Sequence, residues 1–565
     1  MPSRALTLGI LGLIFVGDVQ AGNGYPQGNR PVYLSQNWDG EERNRFYFTP
    51  QGSYMIPYAW FLALEQANRT QPFNSPKHIE RLGFLVDDGA YGAANPDGLP
   101  IGFAKEPVEG GEDWLGLTCA ACHTGEISYR GQRIRIDGAP TLGDFTALTT
   151  SLIEALQATL EKPGKFERFA KAVLNKPGKA EKAALRARVA EYLDWISGFA
   201  ARSTPPHPYG YGRVDAFGII MNEVFARDLQ QPENRRVPNA PVSYPFLWTS
   251  PYMDWVQWNG SANNPFGRNV GEVLGTFGHV TLTGPAAELG KSSARPRELF
   301  ELERLVGTLT PPEWPESLLG LIDREKAARG RVLYTTPLDG KPSCEACHAL
   351  PDANGRYPMT PPEENLFGAS FIRTHMTGLS EIGTDPQMAS NFATRTVYTG
   401  ELAPLLPAPY TGYSELPAPT LLSIAVGMAV TKAIEQAQPP FSDAEFSELM
   451  GYRLKAAGEP PYAPKNLLAY RARPLDGIWA TAPYLHNGSV ANLYQLLLPA
   501  AKRRKVFYVG SHAFDPKAVG FVSKPGPRAF RLDTRLPGNL NSGHDYGTRL
   551  NDRERWDLVE FLKTL

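Results

Sequence analysis

Hydrophobic and polar positions along this chain form a few clear elements separated by long stretches without a period. The N-terminus is one apolar block: after MPSR, Ala5 to Gly17 supplies thirteen apolar or small residues. That length suits the core of a secretory leader and is too short to cross a bilayer. Val19-Gln20-Ala21 followed by Gly22 suits signal peptidase. The pattern therefore predicts a leader at 1–21 and an exported chain of about 544 residues (565 minus 21). No later stretch reaches eighteen apolar residues, so the mature chain is expected to be soluble, not integral to a membrane. Three segments have helical spacing. Leu299, Leu302, Leu305, Val306 and Leu309 make one apolar face ahead of TPPEWP at 310–315. DREKAARGRVLYTT at 323–336 is a charged helix ending near Gly330 and Val332-Leu333-Tyr334. LNDRERWDLVEFLKTL at 550–565 opens with Asn551 and Glu554 in capping-box spacing and carries Leu558, Val559, Phe561, Leu562 and Leu565 on one face. The proline cluster marks a boundary, giving an N-terminal domain at 22–315 and a C-terminal domain at 316–565.

Composition narrows the function classes. A net charge of −1 and a pI near 6.8 leave no basic field, so nucleic acid is not an expected partner. Gly 54 and Pro 51 make the chain loop-rich, while aromatics at 11% argue for a packed fold.

The cysteines change the picture most. All four lie in two C-x-x-C-H units: Cys119, Cys122 and His123 in TCAACHTG, then Cys344, Cys347 and His348 in SCEACHAL. A redox disulfide or a structural zinc site explains vicinal thiols, but neither needs an imidazole directly after the second cysteine, twice. Covalent haem does: two sulfurs bond the porphyrin and the adjoining imidazole reaches the iron. The expected cofactors are two haem c groups, one per domain. More than 200 residues accompany each motif, where a small electron carrier needs about a hundred. The excess is expected to build a substrate pocket.

Family resemblance enters at the residues after the second motif. Thr481-Ala482-Pro483-Tyr484-Leu485-His486-Asn487-Gly488 resembles the signature of the di-haem cytochrome c peroxidase superfamily. The segments 323–336 and 550–565 resemble the first and last helices of class I cytochromes c. The expected fold is thus mainly α: two class I cytochrome c-like domains with long loop insertions. The peroxidases place an axial methionine fourteen residues beyond the signature histidine. Here that position is Ala500, and no methionine follows Met450. The resemblance is nearest to the di-haem rubber oxygenases and bacterial di-haem oleate dioxygenases. It rests on NPDGLPIGF (95–103), GLTCAACHTG, IDGAP (136–140) and NSGHDYGT (541–548). It implies that His123 is the protein ligand of an active haem, and that His348 and His544 together hold the other.

The oxidant follows less directly. Oxygen insertion into an alkene wants an apolar pocket, whereas peroxide cleavage wants a distal acid/base. The insert at 244–278 concentrates Trp248, Trp255 and Trp258 with Phe246, Phe266 and Phe277. Trp258 and Trp255 are the candidate catalytic residues, while Glu272 and Arg268 keep acid/base chemistry open. The resemblance implies a periplasmic or secreted dioxygenase acting with O2 on an unsaturated hydrophobic molecule or polymer, a fatty acid or polyisoprenoid. A peroxidase and a pure electron-transfer cytochrome c are the alternatives, and a cytochrome or copper protein is a candidate electron donor.

Overall fold

A computed structural model describes residues 30–87, 89, 92–338, 340–454 and 467–565. The expected leader at 1–21 and its cleavage site lie outside these residues. Helix accounts for 41% and strand for 14%. The strand content corrects the mainly-α expectation in part. It comes as small sheets of two or three strands, each strand two to six residues long, too short to leave an alternating signature.

Two of these sheets frame the first C-x-x-C-H motif. The hairpin Thr124–Tyr129 and Gln132–Asp137 pairs antiparallel, with Val32–Tyr33 added in parallel on the far edge. Its two-residue turn has Arg130 and Gly131 both at positive φ (50° and 82°), the twist a tight hairpin needs. In the second sheet the order is Ile56–Pro57, Trp114–Leu117, Phe103–Glu106. The helices Phe145–Glu161 and Lys179–Ser203 cover it with an apolar layer that includes Leu148, Leu152, Ile196 and Phe199.

Around the second motif the helical expectations hold. Arg324–Thr335 is a helix capped by Asp323, and Asp552–Leu562 is a helix whose capping box is formed by Asn551 and Glu554. They pack against each other at Gly330, where a Cβ would lie 2.1 Å from the carbonyl oxygen of Asp557. Gly330 therefore sits mid-helix as the point of closest approach, not at the helix end its spacing suggested. Arg329 ties the same crossing to Asp557 at 2.8 Å.

The segment 310–315 is held at both faces. Trp314 is buried edge-on to Trp479 with ring centres 5.3 Å apart, and the Trp479 indole donates to the carbonyl of Pro312 at 2.9 Å. One apolar cluster contains Ile134, Ile136, Trp248, Trp314, Trp479 and Val559. Residues from both sides of position 315 thus share a core.

Gly330→Ala should destabilise the protein by about 1–3 kcal/mol or more, because the clash is with backbone and cannot be relieved by a rotamer change. Gly427→Ala, in the helix Ala418–Gln436 where a Cβ meets nothing within 4 Å, should be neutral or stabilising by up to about 1 kcal/mol. Denaturant unfolding of both variants checks the contrast.

Candidate functional site

Each C-x-x-C-H motif folds as one helical turn with a hydroxyl cap. Thr118 caps Cys119–Cys122, and Ser343 caps Cys344–Cys347. In both, the histidine N–H returns to the first cysteine's carbonyl, at 2.9 Å for His123 and 2.8 Å for His348. The segments quoted around the first motif press against its backbone. Gly102 approaches so closely that a Cβ there would lie 2.0 Å from the Ala121 nitrogen. From the 136–140 segment and just beyond it, Gly138 and Thr141 donate to the carbonyls of His123 and Cys122, each at 3.0 Å.

The two histidines are oriented in the same way. His123 Nδ1 lies 2.7 Å from the carbonyl of Pro245, and His348 Nδ1 lies 2.7 Å from the carbonyl of Arg473. A carbonyl only accepts, so Nδ1 must carry the proton and Nε2 is left with its lone pair, the form a metal binds. The acceptors lie 122 and 125 residues downstream of their histidines. Burial keeps both rings neutral, pushing His123 down to about 4 and lowering His348. Burial also pushes the Cys119 and Cys122 thiols up to about 12 and Cys344 up to about 11. None of the four is disulfide-bonded.

Opposite His348 stands His544, with ring centres 6.3 Å apart. Two metal–imidazole bonds of about 2 Å each, plus roughly 1 Å from each nitrogen to its ring centre, sum to about 6 Å. The gap fits one metal ion between the rings, so the residues suit a bis-histidine haem. The loop that delivers His544 is pinned from beneath. Its N–H donates to Ile382 O at 2.8 Å. The fully buried guanidinium of Arg503 donates to the carbonyls of Asn541 and Gly543 at 2.7 and 2.8 Å. Gly543 passes so near Gly383 that a Cβ would meet its carbonyl carbon at 2.2 Å. Ala500 is a neighbour of this loop, its N–H donating to Asp545 at 3.2 Å. His486 is elsewhere, stacked on Tyr470 at 4.0 Å. The ring of His512 bonds the Glu126 carbonyl.

Beside Cys119, Cys122 and His123 lies a cavity with about 1490 Å³ of space unfilled by protein, its opening to solvent included. Among the described residues its lining holds no second histidine and no methionine. It is mostly apolar, with Phe145, Ile220, Val256, Phe246 and Leu302 among its walls. Trp258 lines it, fixed by an indole bond to Ser243 O at 2.9 Å. Trp255 does not line it; its ring stands edge-on to Tyr452. Trp248 is buried behind Phe246, their rings stacked at 4.7 Å. Phe266 and Phe277 belong to separate parts of the core.

One wall is polar. The helix Pro265–Gly275 presents Arg268, Asn269 and Glu272 to the cavity at helical spacing. Glu303 accepts from both Arg268 and Asn269, and Gln257 donates to Glu272 at 3.1 Å. Burial raises the Glu272 carboxyl, with Arg268 opposing the shift. The strand Ala469–Ala472 and the residue after it add Arg471 and Arg473. Neither arginine stands out in the sequence, since isolated charges in a loop-rich chain read as surface.

A family model described as RoxA-like, cytochrome c-like matches residues 469–508, the segment that carries Arg471, Arg473 and His486. Such a domain implies covalently bound haem c. The chain is 34% identical to the uncharacterized protein y4iJ of Sinorhizobium fredii over a 597-residue alignment that covers 96% of this chain and 94% of the relative. A second protein of that organism, the uncharacterized y4iM, is 38% identical over 117 residues, 17% of this chain and 27% of its own length.

His486 gives this region a pH signature. Burial pushes its imidazole down to about 3, so the folded state holds it neutral. The unfolded chain takes up that proton below about pH 6.5, and stability falls as the pH drops from there toward 3, by up to about 1.4 kcal/mol per unit. His486→Phe, which keeps a ring against Tyr470, should reduce the slope between pH 6.5 and 4 by this residue's share, the other buried histidines keeping theirs. Denaturant unfolding at several pH values measures it.

Proposed function

The chain belongs to the protein family of y4iJ, and we propose that it is an exported di-haem c-type oxidoreductase that uses dioxygen to oxidise an unsaturated, apolar substrate, a fatty acid or polyisoprenoid. The coarser part, a haem-dependent oxidoreductase, is what the RoxA-like cytochrome segment indicates. In this reading Cys119 and Cys122 hold one haem with His123 as its ligand. Cys344 and Cys347 hold the other, with His348 and His544 as its two ligands. Bound haem supplies one-electron redox chemistry and, where one iron face is left open, a coordination position for a small oxidant.

The observation that carries the proposal is the asymmetry between the motifs. An imidazole stands across from His348, whereas an apolar cavity adjoins His123. The residues of that cavity have separable tasks. Pro245 fixes the His123 tautomer through its carbonyl. The aliphatic and aromatic walls favour a hydrocarbon chain and exclude water, and Trp258 forms a rigid side of the space. Glu272, its carboxyl raised by burial, can hold a proton at the cavity wall.

That last feature favours a second reading. Cleaving peroxide needs a group that shifts a proton from one oxygen to the other, and Glu272, held by Gln257 and flanked by Arg268, is suited to it. A pure electron carrier would need only the part of that space its haem fills.

Three measurements decide among these. Intact mass of the purified protein should equal the processed chain plus two haems; one or none removes the di-haem proposal. His544→Ala should convert one low-spin haem to high-spin while His486→Ala leaves both spectra nearly unchanged, and the reverse pattern removes His544 from the iron. Aerobic incubation with an unsaturated lipid or isoprenoid under labelled dioxygen should place both labelled atoms in product without added peroxide or consumed donor. Trp258→Ala should slow that turnover at unchanged haem content, whereas Trp255→Ala, whose ring faces Tyr452 and not the cavity, should leave it nearly unchanged. Peroxide-dependent oxidation of a reduced cytochrome, abolished in Glu272→Gln and with no oxygen uptake on any lipid, would place the chain among the peroxidases.

A further inference from the structure

Among the described residues, two buried guanidinium groups in the cavity wall make no ion pair at contact distance. Arg471 and Arg473 are two residues apart, so strand alternation puts them on one face, and both line the space beside His123. They are 8% and 5% exposed. Arg471 donates Nε to the carbonyl of Gln257 at 3.1 Å and reaches the Met253 sulfur at 3.1 Å. Arg473 donates to the carbonyls of Phe246 and Trp248 at 2.8 and 2.7 Å and to Thr249 Oγ1 at 3.2 Å. Its Nε has no partner, and the guanidinium lies 3.7 Å from the centre of the Phe246 ring. Among the described residues neither makes an ion pair, whereas Arg268 in the same cavity is paired with Glu303. Removing an unpaired charge from water costs several kcal/mol. Carbonyl dipoles offset part of that, as do the more distant carboxylates of Asp254 for Arg471 and Asp476 for Arg473, neither of which closes on its guanidinium as an ion pair. Burial lowers Arg471 to about 10. Burial, with the Arg471 charge beside it, holds Arg473 well below its ordinary value.

We propose that Arg471 and Arg473 form a buried carboxylate-binding site in the wall of the His123 cavity. A guanidinium presents paired N–H groups in the plane that a carboxylate's two oxygens match, and a desolvated pair of this kind is stronger than one in water. Two carboxylate sources reach this space. One is a propionate of the porphyrin held by Cys119 and Cys122, which rests on the haem reading above. The other is the head group of a fatty-acid-like substrate whose tail lies along the apolar wall. Arg473 also ties the site to the second motif, because its own carbonyl is the acceptor that orients His348.

The test uses the full-length protein, with covalent haem content measured first, and compares wild type with Arg471→Gln and Arg473→Gln. Resonance Raman propionate-bending bands and the midpoint potential of the high-spin haem form one arm. Calorimetric binding of oleate against oleyl alcohol forms the other. With a propionate in the site, both Gln variants shift the propionate bands. They also make reduction of that haem at least tenfold less favourable, 59 mV for one electron, because a positive charge beside the oxidised centre is lost. With a substrate head group in the site, the propionate bands stay put, while the potential still falls because the charge is lost in either case. Wild type then prefers oleate over oleyl alcohol at least tenfold, and the Gln variants lose that preference. Identical bands and oleate preference in wild type and both variants overturn the site, whatever the potential does. Arg471→Lys and Arg473→Lys keep the charge and remove the planar fork. If the neutral variants do not accumulate, these are read by the propionate bands and the oleate preference alone, and indistinguishable behaviour in both overturns the site equally. A chain without covalent haem would sink the haem reading, and the oleate arm would still decide the carboxylate site.

Discussion

Everything around the two motifs depends on a single bond type, an imidazole Nδ1–H donated to a backbone carbonyl. A neutral histidine has one N–H to give, and placing an acceptor at Nδ1 fixes the tautomer and the ring plane together and leaves Nε2 to face the cofactor space. His123 and His348 both meet this condition, through Pro245 and Arg473. The acceptors are themselves connected, because the Arg473 side chain donates to the carbonyl of Phe246, the residue next to Pro245. From one proximal ring to the other runs a path of two imidazole–carbonyl bonds, one guanidinium–carbonyl bond and a few covalent links.

What faces the motif differs between the two places. At His348 the opposing side is closed by a loop that has almost no freedom, with Arg503 drawing its carbonyls inward and Gly543 packed against Gly383. At His123 the neighbouring space is a cavity bounded by the helix Pro265–Gly275 and by Trp258. Local sequence makes the two turns alike; the insertions make them unlike.

Covalent chemistry was the legible part of the sequence, since C-x-x-C-H spacing is a requirement on adjacent residues. The helices Pro296–Thr308 and Asp552–Leu562 were legible too, from an apolar stripe and, in the second, a capping pair. His544 came into view through resemblance and through the want of a methionine after Met450, and its ring does stand across from His348. The carbonyl acceptors could not be read, because every residue has a carbonyl and only the fold selects one. Arg471, Arg473 and Arg503 were equally invisible: a charge is ordinary in sequence and becomes informative only once it is buried. Trp255 and Trp258 show the limit of clustering, since three residues of separation send one ring to the cavity and the other to Tyr452. The short strands escaped because two to six residues do not establish a period.

The far downstream position of each partner imposes an order in time. A chain emerging from its N-terminus presents His123 long before Pro245 exists to hold it, and His348 long before Arg473. His544 arrives within the last few dozen residues, just ahead of the helix that closes against Gly330. Each thiol pair therefore stays on an open chain while the 122 or 125 residues to its histidine's acceptor are still being made. The second site is shut only as the C-terminus arrives. The topology works as a clock, with access early and enclosure late.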